Sequence, residues 1–324
     1  MSPSTRRPSP PAPPGAPGAS LEDDPSSVTL WDASRVHELL DRFFSTVPAE
    51  RTHEVPWARG RRALVLGDTH TDWPTSLSLA RQALGSEDMG YLFATGDYVD
   101  RAPPELPFGS VVNALFLLSL RTKEPERVVL LRGNHETQRD IPILLNEVVD
   151  EATALWGPGE GVGGRVLDAF DRLPLAASTE SGAYLAHAGF PRDRGSSGWK
   201  GRIAGGGIDM LEEVVWNDLQ VSAYVGGRGL QIPPISEEET LAFLREAGFE
   251  VFLRGHDPTE AGRARYQNRV LTLHTSRVYE WAGLHVAELP LDRRVRDLRD
   301  VVHRTLRPPP LPAPPKRSPR PQGK

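Results

Sequence analysis

Four of the nine histidines in this chain stand in one recurring setting. Each follows a short apolar run that stops abruptly at a small or acidic residue. Ala63–Leu66 ends in Gly67-Asp68-Thr69-His70, and Tyr91–Ala94 leads into Gly96-Asp97. Val128–Leu131 leads into Gly133-Asn134-His135-Glu136, Ala183–Ala186 into His187, and Val251–Leu253 into Gly255-His256. Taken singly, an Asp after Gly caps a helix or closes an Asx turn, and a lone His after a strand is a turn residue. Five repetitions of the event argue for a shared site. The donors are oxygen and imidazole nitrogen, and the chain contains no cysteine. That set suits Mn²⁺, Fe or Zn²⁺ rather than soft metals, and it holds more ligands than one ion takes.

The elements that must carry these residues can be read from periodicity. Short apolar runs bounded by Gly and Asp are buried strands. Between the first three lie helix-like segments at Leu77–Leu84 and Val111–Arg121, so the chain begins strand–helix–strand–helix–strand. This is an α/β pattern with parallel strands. Ligands of such sheets bind beyond the carboxyl ends of the strands, where these polar residues fall. Trp31–Val47 repeats apolar residues at helical spacing, with Asp32 or Ser34 available as a cap. Leu144–Trp156, Val166–Leu173 and Leu241–Ala247 read as further helices, and Val270–His274 and Leu284–Leu289 as closing strands.

Composition sets the limits. Of 31 prolines, eight fall in residues 1–27 and eight in 308–321. Both ends lack the apolar side chains that offset ordering entropy, so 1–27 and 307–324 are expected to be disordered tails around one domain at 28–306. Without cysteine there is no disulfide scaffold and no thiolate nucleophile. No segment approaches the roughly 18 apolar residues of a membrane span. No apolar leader follows the N-terminus, and the expected compartment is the cytoplasm. The last residues from Arg307 carry five basic groups and no acid, leaving a more acidic body than the net charge of −5 suggests. That balance argues against nucleic acid as a partner. The tails could engage an acidic or a proline-binding partner.

Gly67-Asp68-Thr69-His70, Gly96-Asp97-Tyr98-Val99-Asp100-Arg101 and Leu131-Arg132-Gly133-Asn134-His135-Glu136 resemble the three ordered signatures of the calcineurin-like metallophosphoesterases. The last two resemble most its phosphoprotein phosphatase branch, the serine/threonine phosphatases. The resemblance continues through His187-Ala188-Gly189, Trp216-Asn217-Asp218, Arg228-Gly229 and Arg254-Gly255-His256, and ends near Thr275–Tyr279. It implies an α/β metallophosphoesterase fold, two mixed β-sheets packed as a central sandwich flanked by helices. It also implies two divalent transition-metal ions, manganese foremost, with iron or zinc as alternatives. Asp68 and His70 would hold the first, Asn134, His187 and His256 the second, and Asp97 would bridge both. Arg101 and Arg228 would neutralise the phosphate through forked hydrogen bonds. Asn134 and Tyr279 would complete the substrate contacts. His135 would protonate the leaving alkoxide, with Asp100 orienting its ring.

The chain departs from the family pattern where Thr71 and Ala102 replace glycines and Ala188 replaces the first glycine after His187. Asn217 stands for a serine, and Thr275-Ser276-Arg277-Val278-Tyr279 for Ser-Ala-Pro-Asn-Tyr. The substrate-facing rim therefore differs more than the metal centre. The activity implied is hydrolysis of phosphorylated proteins or peptides. The nearest rival is a hydrolase of diadenosine polyphosphates or other nucleotide anhydrides, whose members usually show Gly-Asn-His-Asp and lack the Asp before Arg. A silent scaffold presenting its Pro-rich tails would have lost at least one ligand, and none is lost.

Overall fold

Eleven strands are set among the described residues, which are 20–193, 197–225 and 232–311 of this computed structural model. They are β1 (Thr52–Val55), β2 (Arg62–Leu66), β3 (Gly90–Ala94), β4 (Val128–Leu130), β5 (Ala176–Thr179) and β6 (Ala183–Ala186). β7 (Val251–Arg254), β8 (Ala264–Arg265), β9 (Val270–Thr272), β10 (Leu284–Pro290) and β11 (Val302–Leu306) follow. One sheet has the order β11-β10-β2-β3-β4, with β2, β3 and β4 parallel and β10 antiparallel to β2. The other has the order β1-β5-β6-β7-β9-β8, with β6, β7 and β9 parallel.

Alternation along each strand decides which layer it serves. In β2, Ala63 and Val65 face the second sheet, joining Phe93, Val129, Ala177, Leu185, Leu253 and Leu271 in the inter-sheet core. Leu64 and Leu66 point the other way, onto α1 (Ala33–Thr46), α2 (Trp73–Gly85), α3 (Gly109–Lys123), α4 (Glu147–Trp156) and α5 (Val162–Phe170). The outer face of the second sheet buries Tyr184, Ala186 and Phe252 against α6 (Gly198–Gly205), α7 (Ile208–Val215) and α8 (Glu237–Ala247). The fold is thus a four-layer helix–sheet–sheet–helix sandwich, two mixed sheets flanked by helices as the sequence implied. No helix among the described residues is long and apolar enough to cross a membrane.

The expected tail boundary at residue 27 needs correction. Leu21 is only 3% exposed and joins the helix-side core, and Ser27 and Val28 are buried with it. Asp24 caps a short 3₁₀ helix over Pro25–Leu30 by accepting from the Ser26 amide at 3.1 Å. One leucine slot, one cap and the Lys123–Glu22 ion pair hold this segment without an apolar run. At the other end, the segment after β11 stays close enough for the Pro309 carbonyl to accept from Arg277 at 3.1 Å. Residues 1–19 and 312–324 lie outside the described set.

Candidate metal centre and acid–base pair

β2, β3 and β4 run parallel, so the loops carrying Asp68 and His70, Asp97, and Asn134 and His135 leave the sheet on one side. β6 and β7 bring His187 and His256 to the same end of the facing sheet. Asp68, His70, Asp97, Asn134, His135, His187 and His256 are all buried. The structure brings together the six candidate ligands and, beside them, the candidate proton donor His135. Arg228 lies outside the described residues.

Backbone strain concentrates here. His70, Thr71, Asp97, Asp100, Arg101 and His256 adopt φ values between +25° and +76°. Left-handed backbone at non-glycine residues is costly and persists where surrounding structure over-determines it. Of the three glycine replacements, Thr71 adopts positive φ (48°), whereas Ala102 and Ala188 do not. A glycine is required at 133, where a Cβ would stand 2.4 Å from Asp97 Oδ1.

Two donor clusters share one residue. His70, Asp97 and His135 converge in one, and Asp68, Asp97 and His187 in the other, each with its donor atoms within 4.8 Å of one another. This grouping differs from the division the resemblance implies, which puts Asp68 with His70 and gives His135 no ion. His187 Nε2 lies 3.4 Å from Asp97 Oδ1, and His70 Nε2 and His135 Nε2 each lie 3.8 Å from Asp97 Oδ2. Asn134 Oδ1 is 2.9 Å from His187 Nε2 and 3.0 Å from His256 Nδ1. The Val99 and Thr95 carbonyls lie 2.9 and 3.0 Å from the Nδ1 atoms of His70 and His187, orienting both rings.

The electrostatics fit a cation. Burial, and then the neighbouring Asp97, push the Asp68 carboxyl well above its ordinary value. Burial also opposes ionisation of Asp97, but His187, His135 and His70 together outweigh it and hold that carboxyl low. Burial depresses the imidazoles, His187 to about 4 and His70 well below the ordinary range, with Arg101 adding to the effect at His70. Neutral imidazoles beside buried carboxyl groups make a donor set that could hold a cation. The residues present therefore fit divalent ions.

His135 is built differently from its neighbours. Its Nδ1 meets Asp100 Oδ2 at 2.6 Å, and its amide donates to Asp97 Oδ1 at 3.0 Å. Asp100 is fixed in turn by donors from Gln138 Nε2 (3.1 Å) and the Glu147 amide (2.8 Å). Arg101 contacts His70 Nε2, and its guanidinium lies 5.5 Å from the centre of the half-buried Tyr279 ring.

Several contributors escaped the sequence reading. Glu136, read only as part of its motif, accepts from the amides of Asp97 and Tyr98 (2.7 Å each) and Gly133 (2.9 Å), locking two signature loops together. Asp218 and Arg254, also read only as parts of motifs, support the far side: Asp218 lies 3.7 Å from His256 Nε2, and the buried Arg254 donates to the Asn217 carbonyl at 3.0 Å. His274 packs 5.2 Å from Tyr279 and 6.5 Å from His70, ring centre to ring centre. It lies two residues past the end of β9 with no Gly or Asp beside it, so nothing local flagged it.

The sequence profile of the calcineurin-like phosphoesterases matches residues 61–260, the stretch that carries all six candidate ligands. The chain belongs to that family. A probable serine/threonine-protein phosphatase of Encephalitozoon cuniculi is 26% identical over 234 residues, covering 67% of this chain and 47% of that protein. The serine/threonine-protein phosphatase 4 catalytic subunit of Kluyveromyces lactis is 32% identical over 129 residues, 40% of this chain and 39% of the subunit. This phosphoesterase thus spans less than half the length of either relative. A solved serine/threonine phosphatase of Saccharomyces cerevisiae, described as similar to human phosphatase PP5, superposes with a TM-score of 0.64 at 21% identity. It covers 86% of this chain and 89% of its own, a likeness of fold.

Proposed function

We propose that this phosphoesterase is a metal-dependent serine/threonine phosphoprotein phosphatase. The observation that carries the reading is the buried His135–Asp100 pair at 2.6 Å, set directly against the shared carboxylate Asp97. A seryl or threonyl alkoxide is a strong base and needs a proton donor to depart, whereas a phosphate leaving from an anhydride does not. An oriented histidine beside the metal centre serves the first kind of substrate. Relatives named as serine/threonine phosphatases support the same class.

In this reading Asp68 and His70 hold one ion, Asn134, His187 and His256 the other, and Asp97 both. Bound divalent ions would supply a water acidified enough to attack at neutral pH and would draw charge from the phosphoryl oxygens. The chain's own residues do the rest. Arg101, Arg228 and the Asn134 amide grip phosphate oxygens, and Tyr279 closes the rim beside Arg101. Asp100 accepts from His135 Nδ1–H and stabilises the doubly protonated ring, whose Nε2–H passes to the leaving oxygen and leaves the ring neutral with Nδ1–H still held by Asp100. Purified protein loaded in turn with Mn²⁺, Fe²⁺ and Zn²⁺ should hydrolyse a phosphoserine peptide faster than a diadenosine polyphosphate. A preference for the dinucleotide under every metal would overturn the reading.

A further inference from the structure

The departures at the rim meet in space. Ser276 and Arg277 stand where the resemblance has Ala and Pro, and Thr71 where it has Gly. Ser276 Oγ donates to the His70 carbonyl at 3.3 Å. Arg277 donates twice to the buried carboxylate of Asp72, through its amide to Oδ2 and through Nε to Oδ1, both at 2.9 Å. Asp72 also caps α2 by accepting from the Thr75 amide at 3.3 Å, and accepts from Thr75 Oγ1 at 2.8 Å. This carboxylate is fully buried, and Arg277 is the cation paired with it. Removing one partner of such a pair strands the other charge, so the two loops are held together firmly.

Arg277 has one arm left. Its Nη2 donates to the carbonyl of Pro309, in the exposed stretch that follows β11. A proline offers no N–H, so this carbonyl is its main-chain handle. One guanidinium therefore ties the loop holding His70, the loop leading to Tyr279 two residues on, and the C-terminal extension.

We propose that Arg277 is a positioning residue that couples the C-terminal extension to the catalytic rim. Seating Pro309 holds Tyr279 and the His70 loop in place for substrate, so this family member carries part of its substrate-binding frame outside the catalytic sandwich. The kinetic part of the proposal rests on the phosphatase reading; the structural part does not.

The test compares the full chain with Arg277→Ala, Arg277→Lys, chains ending at Leu306 and at Leu311, and Arg277→Ala in the chain ending at Leu306. Neither truncation removes a strand or helix among the described residues. Arg277→Ala should raise KM for a phosphoserine peptide roughly fivefold with kcat within about twofold, a loss of binding geometry rather than chemistry. Ending at Leu306, and Arg277→Lys, which keeps the Asp72 pair but not the fork, should each raise it about twofold. Ending at Leu311 keeps Pro309 and should change nothing. Truncation at Leu306 should add no further loss to Arg277→Ala, because the coupling is already gone. Amide exchange over residues 69–76 and 276–282 should quicken in the same order, whether or not any form is active. Unchanged exchange, or losses that simply add, would overturn the coupling. Altered exchange without any phosphatase activity would overturn the functional reading and leave the coupling standing.

Discussion

Asp100 Oδ2 stands 2.6 Å from His135 Nδ1, while Asp100 Oδ1 accepts from the Glu147 amide at the start of α4. The carboxylate thus joins the ring to a helix terminus, and turning the ring would break its hydrogen bond to this anchored carboxylate. This rigidity gives the first prediction. If His135 donates a proton to the leaving oxygen, its loss should cost most when that oxygen is strongly basic. His135→Asn should slow phosphoserine peptide hydrolysis roughly 10²–10⁴-fold and p-nitrophenyl phosphate far less, with metal content unchanged. Asp100→Asn should follow the same pattern more mildly. Equal losses on the two substrates, read as kcat/KM, would assign His135 a structural or ligand role.

Asp97 belongs to both donor clusters, so its charge should matter to both ions. Asp97→Asn keeps the shape and removes the charge. Elemental analysis should show about two ions per chain in the parent protein and a loss of both in the variant. Retention of one full equivalent would mean that the ions do not share this residue.

How much of this was legible varied with burial. β2, β3 and β4 read clearly because strands covered on both faces are near-continuous apolar runs. β1 and β11 did not, because neither is covered on both faces: β1 is Thr-His-Glu-Val with only Val55 buried, and β11 carries Val-His-Arg-Thr-Leu with most of its side chains exposed. β5 is Ala-Ala-Ser-Thr, buried but without the large branched residues that announce a strand. The candidate ligands were legible because each ends a strand beside a punctuating residue. What supports them was not: Glu136 spans two loops 38 residues apart, and Asp218 and Arg254 reach the site from separate elements. Such roles exist only after folding.

Leu21 gives a prediction that separates the undescribed residues from the packed ones. Deleting residues 1–19 leaves Leu21, the Asp24 cap and the Lys123–Glu22 ion pair in place, so the melting temperature should stay within about 1 °C. Deleting 1–27 also removes Leu21 and the cap from Asp24. Burying a leucine and satisfying a cap contribute about 3 kcal/mol together, so this deletion should lower the melting temperature by roughly 5–10 °C. Equal melting of the two shortened forms would show that the 20–27 segment adds nothing.

Glu151 supplies a pH dependence. Its Oε2 accepts from the Val111 amide at 2.8 Å at the start of α3, whose N-terminus has no side-chain cap of its own. Burial pushes its carboxyl up to about 7, with the charges of Glu147 and Asp100 adding to the effect. The folded protein therefore holds this proton more tightly than the unfolded chain, where the group ionises near 4.5. The resulting stabilisation is fully present below about pH 4.5 and is lost as pH rises through about 7. Glu151→Gln keeps an oxygen acceptor for the Val111 amide and cannot ionise, so it should lack this dependence. Between pH 5 and pH 8 the parent protein should lose roughly 2–6 °C of melting temperature relative to the variant. Parallel curves for the two proteins across that range would show that Glu151 ionises alike in the folded and unfolded states.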